Sequence, residues 1–281
     1  MQSRRRFIKN LAVAGAAAAA TPLMSCTDKT PHQLEDFGFI SGLIGKEMKA
    51  DWRGALQQAA DMGFTEYEGG SYGDSPQEFL SYLKSVGLKP VVSGIKFSED
   101  MDEVKQSFDT ALALEMPYVV SYWPWFTGGP FTLEDCKKSA PILNKIGELA
   151  KANGLQFCWH NHDKEFIEME EGLPFDYLMA NTDPELVQVE LDIYWVKKGG
   201  SDPLEVLKQY AGRIPILHVK DMAPGEEEDF ACPGTGIIDF GPIFAESTQQ
   251  GIQHYFVERD KSPDGMACLA TASEYLKNLR F

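Results

Sequence analysis

From Phe37 onward the chain repeats one pattern: a short apolar run, a polar turn, then a segment with apolar residues at helical spacing and a charged opposite face. Apolar runs of about four to eight residues bounded by turn formers read as buried strands, and a period of about 3.6 reads as helix. The predicted strands are Phe37 to Ile44, Phe64 to Glu68, Pro90 to Ile95, Tyr118 to Tyr122, the run from Leu155 that ends in His160-Asn161-His162, Val187 to Ile193, Ile214 to Val219 and His254 to Glu258. Helices are expected over Asp51 to Met62, Ser75-Pro76 to Gly87, Asp102 to Glu115, Leu133 to Asn153, Pro174 to Met179, Pro203 to Tyr210, Phe240 to Gln250 and 266 to 279. Ser75-Pro76 supplies an N-cap and a first-turn proline, and Gly154 stands where a helix stops. Eight such units imply a parallel sheet, closed into a single-domain (β/α)8 TIM barrel. An open doubly wound sheet is the alternative, but no GxGxxG follows the first strand.

A barrel of this kind gathers its active site at the C-terminal strand ends, so those ends are where chemistry is sought. In order they read Glu68, Tyr122-Trp123-Pro124-Trp125, His160-Asn161-His162, Glu190-Leu191-Asp192, His218-Val219-Lys220-Asp221 and Glu258-Arg259-Asp260. Side chains two apart on a strand share a face, so His160 projects with His162, and His218 with Lys220. Asp192, His218 and Glu258 offer one imidazole and two carboxylates, with His160 as a fourth donor. That set suits one divalent metal ion, Mn²⁺, Co²⁺, Mg²⁺ or Zn²⁺. Each residue alone has an ordinary reading: Asp192 caps the next segment, Glu258 pairs with Arg259, His218 is a satisfied core histidine. Recurrence at successive strand ends carries the expectation.

Composition changes this picture at the margins. The apolar share of 43%, with 11% aromatic residues, is enough for a sizeable core. A net charge of −16, from 26 basic and 42 acidic residues, argues against a nucleic-acid partner, because phosphate contacts need clustered Lys and Arg. Ser3-Arg4-Arg5-Arg6-Phe7-Ile8-Lys9 resembles a twin-arginine export signal. The apolar run Leu11 to Leu23 has 13 residues, short of the roughly 20 that span a bilayer. Leu23-Met24-Ser25-Cys26 resembles a lipoprotein cleavage site. The expected organisation is a signal over 1–25, a tether over 26–36 with Cys26 acylated, and the barrel over 37–281. The mature chain is then periplasmic and touches the membrane only through its lipid; an ordinary cleaved signal near the same place is the alternative. Cys136, Cys158, Cys232 and Cys268 show no CxxC spacing and are expected as core thiols rather than a disulfide framework.

Several stretches resemble the xylose isomerase-like TIM barrel superfamily, the sugar phosphate isomerase/epimerase group. They are HNHDKEF at 160–166, LDIYWVKKGGSDP at 191–203, GRIPILHVKDM at 212–222, GTGIIDF at 234–240 and YFVERD at 255–260, with FTEYEGG at 64–70 in the first half. The resemblance implies metal ligands on strands five to eight, which carry onto Asp192, His218 and Glu258. At the fifth strand many members have Glu where this chain has His160, a variation similar to that of inosose dehydratases. The implied chemistry is proton abstraction beside the carbonyl of a sugar or keto-sugar. Glu258 and one of His160 or His162 would be the base, and Lys220 the proton donor or oxyanion partner, a salt-bridge role being its alternative. Glu68, Trp123, Trp125, Glu165 and Arg259 are expected around the substrate, the tryptophans by stacking and Glu165 chiefly by orienting a histidine. The expected activity is isomerisation or epimerisation. Keto-sugar dehydration or keto-glycoside cleavage on the same site is the alternative, and a non-catalytic sugar-binding lipoprotein is a second. The apurinic endonuclease branch needs more ligands and a basic DNA face, and the sequence has neither.

Overall fold

In the computed structural model, which describes residues 31–124 and 129–281, the apolar runs form parallel strands. These are β1 (Gly38–Ile40), β2 (Glu66–Glu68), β3 (Lys89–Gly94), β4 (Tyr118–Ser121), β5 (Gln156–His160), β6 (Val187–Asp192) and β7 (Ile216–Val219). A short antiparallel ribbon, β8 (Asp221–Met222) with β9 (Phe230–Ala231), precedes the last barrel strand, β10 (His254–Val257). The barrel order is β1-β10-β7-β6-β5-β4-β3-β2, closed by pairing of β1 with both β10 and β2. The closed eight-stranded barrel is the expected one, and residues 32–281 form one unit.

The helices are α1 (Gly45–Asp61), α2 (Pro76–Ser85), α3 (Met101–Gln106), α4 (Asp109–Ala113), α5 (Leu133–Ala152), α6 (Pro174–Asn181), α7 (Ile193–Lys198), α8 (Pro203–Gln209), α9 (Phe240–Gln250) and α10 (Gly265–Asn278). Three depart from expectation for local reasons. The first strand stops at Ile40 because Ser41–Ile44 winds into a 3-10 turn that buries Leu43 and Ile44. Helix α1 therefore begins ahead of Asp51, which is non-helical at φ −156°, ψ 84°. The Asp51 carboxylate accepts the Gly54 N–H at 3.1 Å and caps the half of α1 that the apolar spacing had revealed. The helix expected over Asp102 to Glu115 is broken into α3 and α4 around Ser107, whose hydroxyl turns back to the Val104 carbonyl. The segment between Asp192 and Pro203, to which no helix was assigned, contains α7.

Strand alternation divides the side chains between two environments. Phe157 and Trp159 of β5 face the helices, and the Trp159 ring lies 5.2 Å from Phe175 of α6. Val120, Cys158, Ile216 and Phe256 form a separate small apolar cluster inside the barrel. Gly38 leaves room for it, since a Cβ there would collide with the Phe256 ring. That plug divides two polar ends. On one side Glu66 and His254 pair at 2.9 Å; on the other lies the ionisable cluster described below.

The cysteine expectation is corrected in part. Cys136 and Cys158 are buried free thiols, but Cys232 and Cys268 are joined in a disulfide, with Cα atoms 5.5 Å apart. The loop after β9 brings Cys232 against the first turn of α10, an approach that a separation of 36 residues does not announce. Among the described residues no helix is long and apolar enough to cross a membrane.

Candidate metal and proton-transfer site

The two-residue period stacks inward side chains in tiers. Above the plug residues Cys158, Ile216 and Phe256 stand His160, His218 and Glu258, each two positions further along the same strand line. Register sets His160 beside Glu190 and Asp192 beside His218 across neighbouring strands. The lower tier holds Glu68 and Glu190, both fully buried. Glu68 accepts a hydrogen bond from the Tyr122 hydroxyl at 2.7 Å and lies 2.8 Å from His218 Nε2. Glu190 Oε1 lies 3.0 Å from His160 Nδ1 and 3.1 Å from His218 Nε2.

The upper tier faces the mouth. His218 Nδ1 is 2.8 Å from Glu258 Oε2, and His160 Nε2 is 3.7 Å from Asp192 Oδ2. One donor atom from each of His160, Asp192, His218 and Glu258 lies within 4.8 Å of the other three. A single ion with ligands at about 2.0–2.2 Å can draw such a set together with small side-chain adjustments. Asn161 ties the ends of β5 and β6 by accepting the Asp192 N–H at 2.9 Å and donating to the Asp192 carbonyl at 3.3 Å. Asp192 Oδ1 accepts the Trp195 N–H at 2.9 Å and so caps α7, which aims Oδ2 into the site. The capping role and the ligand position are thus both occupied, one by each oxygen.

Charge and unpaired atoms decide whether the set suits a cation. Asp192, Glu258 and Asp260 converge on Lys220, the one lysine or arginine ion-paired with them at this mouth among the described residues, while Glu68 and Glu190 meet the imidazoles beneath. Glu190 Oε2 and Asp192 Oδ2 are buried and accept no hydrogen bond. Asp192 Oδ2 does stand 3.5 Å from Lys220 Nζ, within Coulombic reach but outside bonding geometry. Buried carboxylate oxygens without partners are costly, and a divalent ion among these hard and borderline donors would satisfy the Asp192 oxygen. The donor set fits the group.

The electrostatics follow from burial and proximity. Burial, then the negative charge of Glu68, pushes the Glu190 carboxyl well up. Burial likewise raises Asp192, against the opposing pull of Lys220. Burial drives His160 down, and drives His162 to about 3 with help from Lys220, so both rings are neutral. For His218 burial acts downward, but Glu190 and Glu68 outweigh it and hold the imidazole well above its usual range. For Lys220 burial also acts downward and is outweighed by Asp192, Glu258 and Asp260, which keep the ammonium charged. Burial would raise Glu258, yet Lys220 and His218 hold it ionised.

A cavity of about 410 Å³ opens onto this cluster, lined by Trp123, His160, His162, Trp195, Lys220 and Glu258 among others. The Lys220 ammonium packs 4.7 Å from the Trp195 ring and 5.2 Å from Phe230. Trp123, half exposed, stacks on His162 with ring centroids 3.9 Å apart. Other expected positions fall elsewhere. Glu68 sits one tier below the mouth, and Glu165 is buried behind it, where its carboxylate accepts the His162 N–H at 3.1 Å. Glu165 thereby holds the turn through its backbone rather than through an imidazole. Arg259 does not line the cavity: it alternates with Glu258 and Asp260, and its Nη1 lies 3.3 Å from Cys232 Sγ. Trp125 and Cys26 lie outside the described residues. Glu190, Tyr122, Asn161 and Asp260 stand among the strand ends read from the sequence but were given no role there, and Trp195 was not singled out; Glu190 and Asp192 share a strand face, and that spacing was a usable signal.

Fold and site together define a (β/α)8 barrel whose mouth is competent for a divalent ion. The chain belongs to the xylose isomerase-like TIM barrel family, which matches residues 56–279. It is 29% identical over 203 residues to an inosose dehydratase of Clostridium perfringens, a match covering 66% of this chain and 62% of that protein. The chain therefore spans less than two thirds of the length of that curated relative. A sugar phosphate isomerase/epimerase from Parabacteroides distasonis superposes with a TM-score of 0.73 at 24% identity, over 93% of this chain and 96% of that one. The IOLI protein, solved with a bound zinc atom, superposes with a TM-score of 0.68 at 19% identity, over 85% and 95% of the two chains.

Proposed function

We infer that the protein is a divalent-metal-dependent lyase that removes water or another β-substituent from a keto-sugar or cyclic keto-polyol. The observation that carries this reading is the convergence of His160, Asp192, His218 and Glu258 within 4.8 Å, beside a lysine and a second histidine on one cavity. A divalent ion held by those four residues supplies Lewis-acid polarisation of a carbonyl and its neighbouring hydroxyl. His160 has Nδ1 on Glu190 and Nε2 toward Asp192, so it serves as ligand. His162 lines the cavity outside the donor set and takes the proton beside the carbonyl, where Glu258 also reaches. Lys220 delivers a proton to the departing hydroxyl, or to the oxygen on which charge accumulates. Trp123, Trp195 and Phe230 cover the ring and limit water.

Elimination is preferred over epimerisation because epimerisation needs matched bases on both faces of one carbon. Here the fifth-strand position holds an imidazole already engaged by Glu190, and the lysine is an acid. The 29% identity to an inosose dehydratase supports the same direction. Export and lipid anchoring through Cys26 are part of the proposal and rest on the N-terminal sequence alone. The test is to incubate the metal-loaded protein with keto-inositols and keto-sugars in D₂O and follow products by NMR. An unsaturated product is expected. Deuterium in an otherwise intact skeleton means isomerase or epimerase instead, and sugar binding without exchange in the metal-loaded state means a non-catalytic binder.

A further inference from the structure

We propose that Glu190 is a positioning residue that holds His160 and His218 in opposite tautomers, so that each turns a bare nitrogen toward the same cation. This rests on the metal-dependent reading above and adds to it a role for the tier beneath the donors.

The geometry is specific. A single carboxylate oxygen, Glu190 Oε1, lies 3.0 Å from His160 Nδ1 and 3.1 Å from His218 Nε2. With a cation bound, each ligating imidazole is neutral and donates only from its other nitrogen, and the Glu190 oxygen accepts; the second hydrogen of metal-free His218 leaves as the ion binds. Both nitrogens that face Glu190 therefore carry the hydrogen, Nδ1 on His160 and Nε2 on His218. The nitrogens left for the cation are then His160 Nε2, directed at Asp192 Oδ2, and His218 Nδ1, which in the metal-free protein donates to Glu258 Oε2 at 2.8 Å and loses that hydrogen to make room for the ion. These are the two that point into the donor set. Opposite tautomers follow because β5 and β7 approach Glu190 from its two sides, β6 lying between them in the barrel order. Glu68 supports the arrangement at His218 only, at 2.8 Å, and is itself fixed by the Tyr122 hydroxyl. Among the described residues, Glu190 is the one side chain ion-paired with both rings. A glutamate at position 160 would need no acceptor beneath it; the imidazole does. A ligating histidine generally gives its other N–H to such a partner, and losing that partner typically costs about 10–100-fold in metal affinity.

The test uses the full chain loaded with zinc and labelled with ¹⁵N at histidine, read by long-range ¹H–¹⁵N correlation. The expected spectrum has His160 protonated at Nδ1 and zinc-bound at Nε2, and His218 protonated at Nε2 and zinc-bound at Nδ1. Both rings in the same tautomer, or zinc on a nitrogen that faces Glu190, overturns the proposal while leaving the metal-dependent reading intact. Glu190→Leu is expected to weaken zinc binding by about 10–100-fold and to alter the visible spectrum of the cobalt-loaded protein. Glu190→Gln, whose amide oxygen still accepts, should recover part of both. Zinc affinity unchanged in both variants also overturns it. A wild-type chain that binds no zinc, cobalt or manganese overturns this inference and the proposed function together.

Discussion

Lys220 shows at the scale of one residue how the site divides its labour. Its side chain is 1% exposed, yet it stands 3.5 Å from Asp192 Oδ2 and 3.6 Å from Glu258 Oε2 and pairs closely with Asp260. A lysine buried among aromatic rings alone would lose its proton; here the carboxylates win, and the group remains an acid. Lys220→Met is expected to lower kcat by about 10²–10⁴ while bound-metal stoichiometry stays unchanged, measured by steady-state kinetics with parallel metal analysis. Metal content falling in step with activity would reduce Lys220 to a charge-balancing role. The sequence made His160, Asp192, His218, Lys220 and Glu258 legible because each closes a strand. It showed Glu190 and Tyr122 at strand ends without their roles, because a position one tier below the mouth is not marked by residue type, and it aimed Arg259 inward although its neighbours on both sides already pointed that way.

Among elements, the loop from β8 to α9 is the one whose purpose the sequence concealed. Its GTGIIDF stretch wraps a single carboxylate. Asp221 accepts N–H groups from Met222 at 2.8 Å, Gly234 at 3.0 Å, Gly236 at 2.8 Å and Ile238 at 3.1 Å. Gly236 passes so close that a Cβ would collide with the Met222 carbonyl and the Asp221 carboxylate. The ribbon anchored in this way presents Phe230 to the cavity. Asp221→Ala strands several inward N–H groups and is expected to cost at least about 3 kcal/mol, lowering Tm by roughly 6–12 °C in thermal unfolding. A higher KM should accompany it, because the Phe230 wall loosens. The eight strand–helix units were readable from period alone, since burial imposes it. Breaks such as the one between α3 and α4, and the start of α1, depend on single hydrogen bonds that periodicity does not encode.

At the scale of the whole molecule the barrel separates stability from chemistry. The Glu66–His254 pair lies on one side of the apolar plug, and the cluster of carboxylates and imidazoles lies on the other, under the cavity. The Cys232–Cys268 disulfide was illegible because pairing depends on where loops meet. Bonds of this kind persist in oxidising compartments, which accords with the proposed export. Closure is what brings β5, β6, β7 and β10 to a shared mouth, so the central claim concerns convergence on one ion. Anomalous diffraction from crystals of the zinc- or cobalt-loaded protein tests it most directly. The account predicts one strong peak bounded by His160, Asp192, His218 and Glu258. Crystals from metal-saturated protein with no peak among those four side chains, or with the metal bound at some other place in the barrel, would contradict it.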